Sequence, residues 1–335
     1  MPKRIILLII VIFLSGTLLL WRGESEANQS QLYTIGVLSA NDMRLAKLEG
    51  LREGLKKLGY IENINVEFAI VNAQGDREKL RETAQDLIDR QPSLIIAMGG
   101  VEADILKTLT VTQPIPVIFA GVALPLERGL IIDYQFPGGN LTGIDNLQSE
   151  LAGKRLEYLS LLLPSVKRVL VIYDPQVPSG HLSITRVEKE AQKLGVEISL
   201  VPALRLEEIE ETLDKVENRF DGIILLPSYN WETNPSIETL GLNRKIPIVG
   251  LYEPEMARGF LLSYGPSYYN QGLQTATMVA KVLRGQDPGK IPIETAYSLD
   301  FVINLDVAEK LNLDINPQAL GLADRVIPKG GELHR

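Results

Sequence analysis

The chain carries the same order of segments twice, over residues 33–120 and again over residues 168–252. Each copy begins with a short apolar run, continues with an amphipathic stretch ending in Leu-Gly, and adds two further apolar runs around a charged stretch. Each copy then closes on an Ile-Pro pair that opens another apolar run, at Ile115-Pro116 and at Ile246-Pro247. A repeat of this length predicts two domains of one kind. A cleft between such domains is a common place for a small ligand.

Within each copy, apolar runs alternate with amphipathic stretches. Tyr33–Ser39 has the apolar and β-branched character of a strand, whereas Met43–Leu58 places leucines at the three- and four-residue spacing of one helical face. Continuous apolar strands separated by amphipathic helices are typical of parallel sheets that are covered on both faces. The sequence therefore predicts an α/β fold with two Rossmann-like lobes.

Turn-forming segments indicate where the chain passes between the lobes. The glycine-rich segment 136–143 is interpreted as the first crossing. We assign residues 33–144 and about 265–298 to lobe 1, and residues 145–264 and about 299–328 to lobe 2. Residues 329–335 have the character of a solvated tail.

The N-terminus has the pattern of an export signal. Lys3 and Arg4 precede a nearly unbroken apolar run over residues 5–21, and Ser25-Glu26-Ala27 forms a small-x-small exit. This order predicts a secretory signal peptide over residues 1–27 with cleavage after Ala27. The apolar run is at the lower edge of a membrane-spanning length, so an uncleaved anchor is the alternative. In both cases the body is expected to be periplasmic or otherwise extracytoplasmic.

Composition excludes several classes of function. The net charge is −8, and no basic run follows Lys3-Arg4, so nucleic acid is not an expected partner. The chain has no cysteine, which excludes disulfides, thiolate ligands and a lipidated N-terminal cysteine. His181 and His334 are the only histidines, and no nucleophile, phosphate-loop or dinucleotide motif is present. We therefore expect neither catalysis nor a metal or other cofactor.

Ligands of open parallel α/β sheets bind outside the carboxyl ends of the strands, and this rule selects the candidate site. In the first copy, Gly99-Gly100 precedes a helix-like run, and its amides are suited to a carboxylate or phosphate; a tight turn is the alternative. In the second copy, aromatic residues at strand ends are suited to stacking on a flat solute, and packing against helices is the alternative. Trp231 is read equally as a core or a cleft residue. The predicted ligand-binding residues are Ser39, Asn41, Gly99, Gly100, Val101, Gly121, Val122, Tyr173, Asp174, Ser228, Tyr229, Asn230 and Tyr252.

Short motifs along the body resemble one known family. They include Leu58-Gly59-Tyr60, the segment Pro137–Gly143, Leu262–Gly265, Arg284–Pro288 and Val302–Leu305. Taken in this order, over residues 34–327, they are similar to the periplasmic substrate-binding proteins of ABC transporters in the tryptophan- and tyrosine-binding group.

The resemblance implies a fold and a role. The fold is that of a type I-like periplasmic binding protein, with two lobes joined by three crossings, the third near residues 297–304. The role is to bind a small organic solute, amino-acid-like or aromatic, and to deliver it to an ABC permease in the membrane. A monomer is expected. The alternative is a ligand-sensing module coupled to a membrane sensor or kinase.

Two positions depart from the family pattern. Gly100 stands where the family usually has Thr or Ser, and Leu124 precedes Pro125 where the family usually has Asp. A lost hydroxyl and a lost carboxylate weaken the case for an amino-acid zwitterion, because a buried ammonium without an anion is costly. The resemblance therefore indicates the fold and the transport role but leaves the solute open.

Overall fold

The computed structural model describes residues 32–178, 180–215, 220–228 and 237–330, and within them the chain forms two sheets. The strands of the first sheet are β1 Tyr33–Ser39, β2 Val66–Asn72, β3 Leu94–Ala97, β4 Val117–Val122, β5 Leu141–Asp145 and β11 Glu294–Thr295. The strands of the second sheet are β6 Arg168–Tyr173, β7 Glu197–Pro202, β8 Gly222–Leu225, β9 Ile248–Gly250, β10 Leu262–Pro266, β12 Leu299–Asn304 and β13 Arg325–Ile327.

Helices cover both faces of each sheet. The helices are α1 Lys47–Lys57, α2 Arg77–Asp89, α3 Gly100–Leu109, α4 Ala152–Leu162, α5 Gly180–Leu194, α6 Leu206–Lys215, α7 Ile237–Arg244, α8 Tyr268–Leu283, α9 Leu305–Lys310 and α10 Pro317–Leu320. Short 3-10 helices span Met43–Ala46, Glu253–Arg258 and Pro288–Lys290. On the first sheet, α1 and α8 pack on one face, and α2 and α3 pack on the other. On the second sheet, α4 and α5 oppose α6 and α7. The predicted α/β class with two parallel-sheet lobes is confirmed.

The strand order places a crevice at the same point of each sheet. The first sheet runs β11-β5-β4-β3-β1-β2 and the second runs β13-β12-β10-β9-β8-β6-β7. In both, the order reverses at the first strand of the copy, β1 or β6, and ligands of such sheets bind outside the strand ends at this reversal.

One strand of the second sheet runs against the others. β12 pairs antiparallel with β10, with Pro266 opposite Leu299, whereas the other strand pairs are parallel. Between these two strands the chain visits the first sheet, where it forms α8 and β11. It therefore returns at the same end of the second sheet at which it left, and the returning strand must run in the opposite direction.

The first crossing lies later than the glycine-rich segment 136–143 predicted. Leu141–Asp145 forms β5, which pairs with β4 in the first sheet, so the interpretation of residues 136–143 as a crossing is wrong. Gly138 and Gly139 adopt positive φ values of 69° and 66° in the loop that leads into β5. The segment does contain turns, but they belong to a loop within the first sheet.

In each lobe, one helix directly follows a strand of the other lobe. α4 follows β5 of the first sheet but packs on the second, and α8 follows β10 of the second sheet but packs on the first. The contact between α8 and α1 is close: a Cβ added at Gly50 would overlap the carbonyl oxygen of Tyr269, and one added at Gly272 would overlap that of Lys47. These two glycines therefore let the helix backbones approach and fix the position of α1.

No helix among the described residues is long and apolar enough to cross a membrane. The segment predicted as a signal peptide or anchor, residues 1–27, and the end of the predicted tail, residues 331–335, lie outside the described residues.

Candidate ligand-binding cleft

A cleft lies between the carboxyl ends of the two sets of strands. The loops after β3 and β4 form one wall, the loops after β8 and β9 form the other, and the start of α8 closes one side. The cleft encloses a cavity of about 60 Å³. A single bound water needs roughly 10–15 Å³ of cavity volume. The cavity therefore holds only a few waters when the lobes are in this position. The described lining residues are Arg44, Lys47, Met98, Gly99, Gly100, Val101, Gly121, Val122, Ala123, Arg128, Asn146, Gln148, Val177, Pro227, Ser228, Tyr252 and Tyr268.

The amino end of α3 faces this cleft. Gly99 precedes the helix in an extended conformation and provides no side-chain cap, and Gly100 and Val101 begin the first turn. The first amides of a helix have no partner within the helix and carry its positive partial charge. This end of α3 is therefore suited to an anionic or acceptor group.

Two cations stand next to that helix end, on the segment after β1. The Arg44 guanidinium donates to the Glu102 carboxylate at 2.5 Å, and both side chains are buried. Lys47 is 3% exposed, and its ammonium donates to the carbonyl oxygens of Met98 and Ala120, each at 2.6 Å. The ammonium also lies 4.9 Å from the ring centre of Tyr268, within the range of a cation–π contact. These contacts fix both cations against the strand ends.

A third cation, Arg128, comes from the loop after β4. Its guanidinium donates to the Asp104 carboxylate at 2.5 Å and to the Ala123 carbonyl at 3.2 Å. It also lies over Gly100, where an added Cβ would be 3.0 Å from Arg128 Cζ. Burial raises the pKa of the Asp104 carboxyl above its ordinary value, and the charge of Arg128 opposes this rise.

Aromatic rings join the second wall to the start of α8. The rings of Tyr252, after β9, and Tyr268, at the start of α8, have centres 4.4 Å apart. Asn146, just after β5, donates its amide to the Tyr252 hydroxyl at 3.4 Å. These contacts therefore link the second wall, the start of α8 and the crossing after β5.

A buried arginine supports the crossings behind the cleft. Arg155 of α4 is fully buried and donates to the Tyr264 carbonyl at 2.9 Å and to the Gln148 carbonyl at 3.2 Å. It also donates to the Gln148 side-chain oxygen, so Gln148 presents its amide nitrogen. Burial lowers the pKa of Arg155 to about 10, and the side chain therefore remains a cation at neutral pH.

Comparison with known proteins identifies the family of this chain. The family model described as "ABC transporter substrate binding protein" matches residues 34–327. The chain belongs to that family. A curated relative from Clostridioides difficile, named a tyrosine-binding protein, is 25% identical over 267 residues, which are 79% of this chain and 76% of the relative.

Solved structures share the fold of this substrate-binding protein. A conserved domain protein from Vibrio cholerae matches with a TM-score of 0.79 and 27% identity, over 88% of this chain and 100% of its own. A streptococcal ABC domain in complex with L-Trp matches with a TM-score of 0.79 and 24% identity, over 89% of this chain and 100% of its own. The expected family and fold are thus confirmed.

The sequence-predicted site residues fall into three groups in this substrate-binding protein. Those that line the cleft are Gly99, Gly100, Val101, Gly121, Val122, Ser228 and Tyr252. Tyr229 and Asn230, with Trp231, lie outside the described residues. Ser39, Asn41, Tyr173 and Asp174 are not among the described residues that line this cavity.

These four residues make contacts within the loops and the core next to the cleft. The Ser39 hydroxyl donates to the Asn41 carbonyl at 2.8 Å, and the Asn41 side chain accepts from the Arg44 amide at 3.0 Å. Tyr173 packs against the core of the second lobe. Asp174 lies behind Ser228, from whose hydroxyl it accepts at 2.8 Å. These contacts position the loops that line the cleft.

Sequence reasoning missed the residues that dominate the chemistry of the cleft. They are Arg44, Lys47, Arg128, Asn146, Gln148 and Tyr268. Arg44 and Lys47 lie three positions apart, just after a predicted strand end, so this pair was a usable signal. Nothing in the sequence marks Arg128, because its closeness to Gly100 at the start of α3 arises only when the chain folds. Among the described residues, no group of three or more His, Asp or Glu side chains is arranged to hold a metal ion.

Proposed function

We propose that this protein is the extracytoplasmic receptor of an ABC importer, which binds a small organic solute between its lobes and delivers it to a membrane permease. The observation that carries the proposal is the cleft itself, because its two walls and the start of α8 bring hydrogen-bonding groups and two aromatic rings to one place. Such a constellation is typical of a small-molecule site.

The relatives support a small solute with an acidic group and a flat body. One relative is named for tyrosine binding, and one structure of the same fold holds L-Trp. In this chain, Tyr252 and Tyr268 provide aromatic surface, and the amino end of α3 provides amides for an acidic group. We therefore place the body of the solute against the tyrosines and its acidic group against α3.

Solute entry requires the lobes to move apart, since the cavity of about 60 Å³ is smaller than a solute of amino-acid size. The chain passes between the sheets after β5, between β10 and α8, and between β11 and β12. We propose that these three short crossings are the hinges, with lobe 1 and lobe 2 bounded near residues 144, 265 and 298. The protein is proposed to act as a monomer.

A thermal-shift panel on the exported body, residues 28–335, tests the function. The panel contains amino acids, organic acids, nucleobases, short peptides and sugars. A solute at 100 times its Kd is expected to add about 2.7 kcal/mol to the free energy of unfolding. Tyr252→Ala serves as the matched cleft variant and is expected to reduce the shift. If no class of solute raises the melting temperature, the proposal fails.

Uptake provides the test of the transport role. A strain that lacks this protein is expected to lose uptake of the radiolabelled solute, and the unmodified protein is expected to restore it. Normal uptake in that strain, combined with solute binding in vitro, would favour the sensing alternative.

A further inference from the structure

We propose that Arg128 is the residue by which the cleft selects solutes with an acidic group, and that Gln148 donates to a second acceptor atom of the same solute. The proposal rests on the proposed function, because both residues line the same cleft. The Arg128 side chain is 9% exposed and Gln148 is 1% exposed, yet each has a nitrogen without an acceptor in the part of the chain that the structure describes. Amino acids and simple carboxylic acids both carry such an acidic group.

Two hydrogen bonds hold the Arg128 guanidinium at the amino end of α3. Nη1 donates to the Asp104 carboxylate at 2.5 Å, and Nε donates to the Ala123 carbonyl at 3.2 Å. These bonds leave Nη2 as the guanidinium nitrogen without an acceptor among the residues that the structure describes. A Cβ added at Gly100 would lie 3.1 Å from Nη2, so this donor is next to the first turn of the helix. The guanidinium is therefore held in place before a solute arrives.

An acidic group fits this position better than a neutral one. The first amides of α3 have no partner within the helix and carry its positive partial charge, and Gly99 has no side chain to cap them. A carboxylate can accept from a guanidinium nitrogen with one oxygen and from a helix amide with the other. A neutral carboxamide has one oxygen and no charge, so it loses one of these bonds and the charge assistance of the other.

Two acidic side chains near this position already have partners. Glu102, in the first turn of α3, accepts from the Ala40 amide at 2.9 Å and from the Arg44 guanidinium at 2.5 Å. Asp104 accepts from Nη1 of Arg128, and its side chain is 43% exposed, so solvent screens part of its charge. Neither carboxylate accepts from Nη2 of Arg128, so that donor is available to a solute.

Gln148 supplies an independent observation, because chemistry alone fixes which atom of its side chain contacts Arg155. A guanidinium has only donors, so the contacting atom of Gln148 is the amide oxygen. Arg155 is fully buried and is held further by the main-chain carbonyls of Gln148 and Tyr264, at 3.2 and 2.9 Å. The amide nitrogen of Gln148 is buried and has no acceptor within the described ranges. A buried donor without an acceptor is costly, and an oxygen of the solute would remove this cost.

The two donors come from different parts of the cleft. Arg128 belongs to the loop after β4, in the first wall. Gln148 follows β5, in the first crossing, and a Cβ added at Gly265, just before the second crossing, would lie 3.1 Å from its amide nitrogen. A solute that accepts from both residues therefore connects the first wall with the crossings. Its acidic group would lie at α3, and its second acceptor atom would lie toward the crossings.

Matched pairs of solutes that differ only in the acidic group test the inference on the unmodified protein. The pairs are L-tyrosine with L-tyrosinamide, L-tryptophan with L-tryptophanamide, and 3-(4-hydroxyphenyl)propionate with its amide. In the tightest-binding pair, calorimetric titration is expected to show that the acid binds at least about tenfold more tightly than its amide, because only the acid accepts charge-assisted hydrogen bonds at Arg128 and α3. If the tightest solute of the thermal-shift panel is another acid, the same comparison is made with its amide.

Variants of Arg128 separate solute contact from a purely structural role. Arg128→Gln is expected to weaken binding of the acid by about tenfold to a hundredfold, the scale of a lost charged hydrogen bond, and to leave the amide within about threefold. The preference for the acid then disappears, whereas Arg128→Lys retains the charge and is expected to keep part of it. Arg81→Gln is the matched control, because it removes the same charge from an exposed residue of α2 outside the cleft.

Gln148→Met tests the second donor, because it removes the amide at a similar volume. It is expected to weaken binding of the acid and of the amide alike, by about threefold to tenfold. Circular dichroism and the melting temperature without solute show whether each variant is folded.

The opposite outcomes overturn the inference. Equal binding of acid and amide in the tightest-binding pair, or an equal loss of both affinities in Arg128→Gln, would show that Arg128 does not select the acidic group. Unchanged affinity in a folded Gln148→Met would show that Gln148 does not contact the solute. A tightest-binding solute without an acidic group, such as a sugar, would overturn the inference and leave the proposed function intact. If no solute binds at all, the proposed function itself fails.

Discussion

The guanidinium of Arg128 lies against the Cα of Gly100, so closely that a Cβ added there would be 3.0 Å from Cζ and 3.1 Å from Nη2 of Arg128. The size of the side chain at position 100 therefore determines whether the Arg128 guanidinium can lie here, although the two residues are far apart in sequence. This contact gives a physical reason for the departure from the family pattern at Gly100. A hydroxyl-bearing side chain at this position would occupy the space of the guanidinium.

Gly100→Thr is expected to displace Arg128 from the amino end of α3 and to weaken binding of an anionic solute. The clash involves the end of a flexible side chain, so the fold is expected to survive. The measurement is the Kd of the solute and the melting temperature of the variant. Gly321→Ala is the control, since its added Cβ would meet nothing closer than 3.6 Å. Unchanged affinity in Gly100→Thr would show that the position of Arg128 is unimportant for binding.

Asp104→Asn is expected to strengthen binding of the same anion severalfold. The substitution removes a carboxylate that competes with the solute for the Arg128 guanidinium, at 2.5 Å from Nη1. Titration at low and at moderate ionic strength measures the effect, which is expected to shrink as salt screens the charges. Weaker binding at both ionic strengths would indicate that Asp104 mainly orients Arg128 and does not compete with the solute.

Gly50→Ala is expected to destabilise the protein by about 1–3 kcal/mol, the usual cost of overpacking. The reason is that the added Cβ would overlap the backbone carbonyl of Tyr269, which has little freedom to move within α8. Urea unfolding measures the loss. Gly180→Ala is the matched helical control, because its nearest contact would be 3.5 Å away. Equal stability of the two variants would contradict the close packing of α1 on α8.

Tyr134→Phe is expected to destabilise the protein more at pH 7 than at pH 4. The Tyr134 hydroxyl donates to the Asp145 carboxylate at 2.7 Å. Burial raises the pKa of Asp145 above 3.8, and the tyrosine opposes the rise. The carboxylate is ionised to a larger extent at pH 7 than at pH 4, and loss of a hydrogen bond to a charged group costs about 1.5–3 kcal/mol. At pH 4 the carboxyl is more protonated, and the loss is smaller.

The sign of the underlying pH dependence follows from the same raised pKa. The folded protein keeps the proton of Asp145 to a higher pH than the unfolded chain does, so this group lowers stability as the pH rises from 3.8 through its folded pKa. Urea unfolding of Tyr134→Phe, Asp145→Asn and the double variant measures the coupling. A Tyr134→Phe effect that is equal at both pH values, or that persists unchanged in Asp145→Asn, would contradict this account.

Local sequence patterns predicted the strands well. Tyr33–Ser39 was predicted with its observed bounds, because a parallel strand that is buried in a covered sheet must be continuously apolar. The antiparallel direction of Leu299–Asn304 was not predicted, because strand direction depends on the side from which the chain returns. Local composition does not contain that information.

The strand-end rule found the loops of the cleft but missed its charges. It selected Gly99 and Gly100, since they directly follow a buried strand. Arg44 and Lys47 lie beyond the strand end, where the chain turns back over the first sheet. Asp174 was selected by the same rule, yet it lies behind Ser228. Which side chain of a loop reaches the cleft is decided by packing between distant segments.

A crystal structure of the protein with its tightest-binding solute tests the central claim most directly. The expected result is a solute between the lobes, with an acidic oxygen about 2.7–3.1 Å from Nη2 of Arg128 and from the first amides of α3, the range of charge-assisted hydrogen bonds. A solute whose ammonium contacts Asp174 while Arg128 contacts none of its atoms would contradict the account, as would a solute bound outside the cleft.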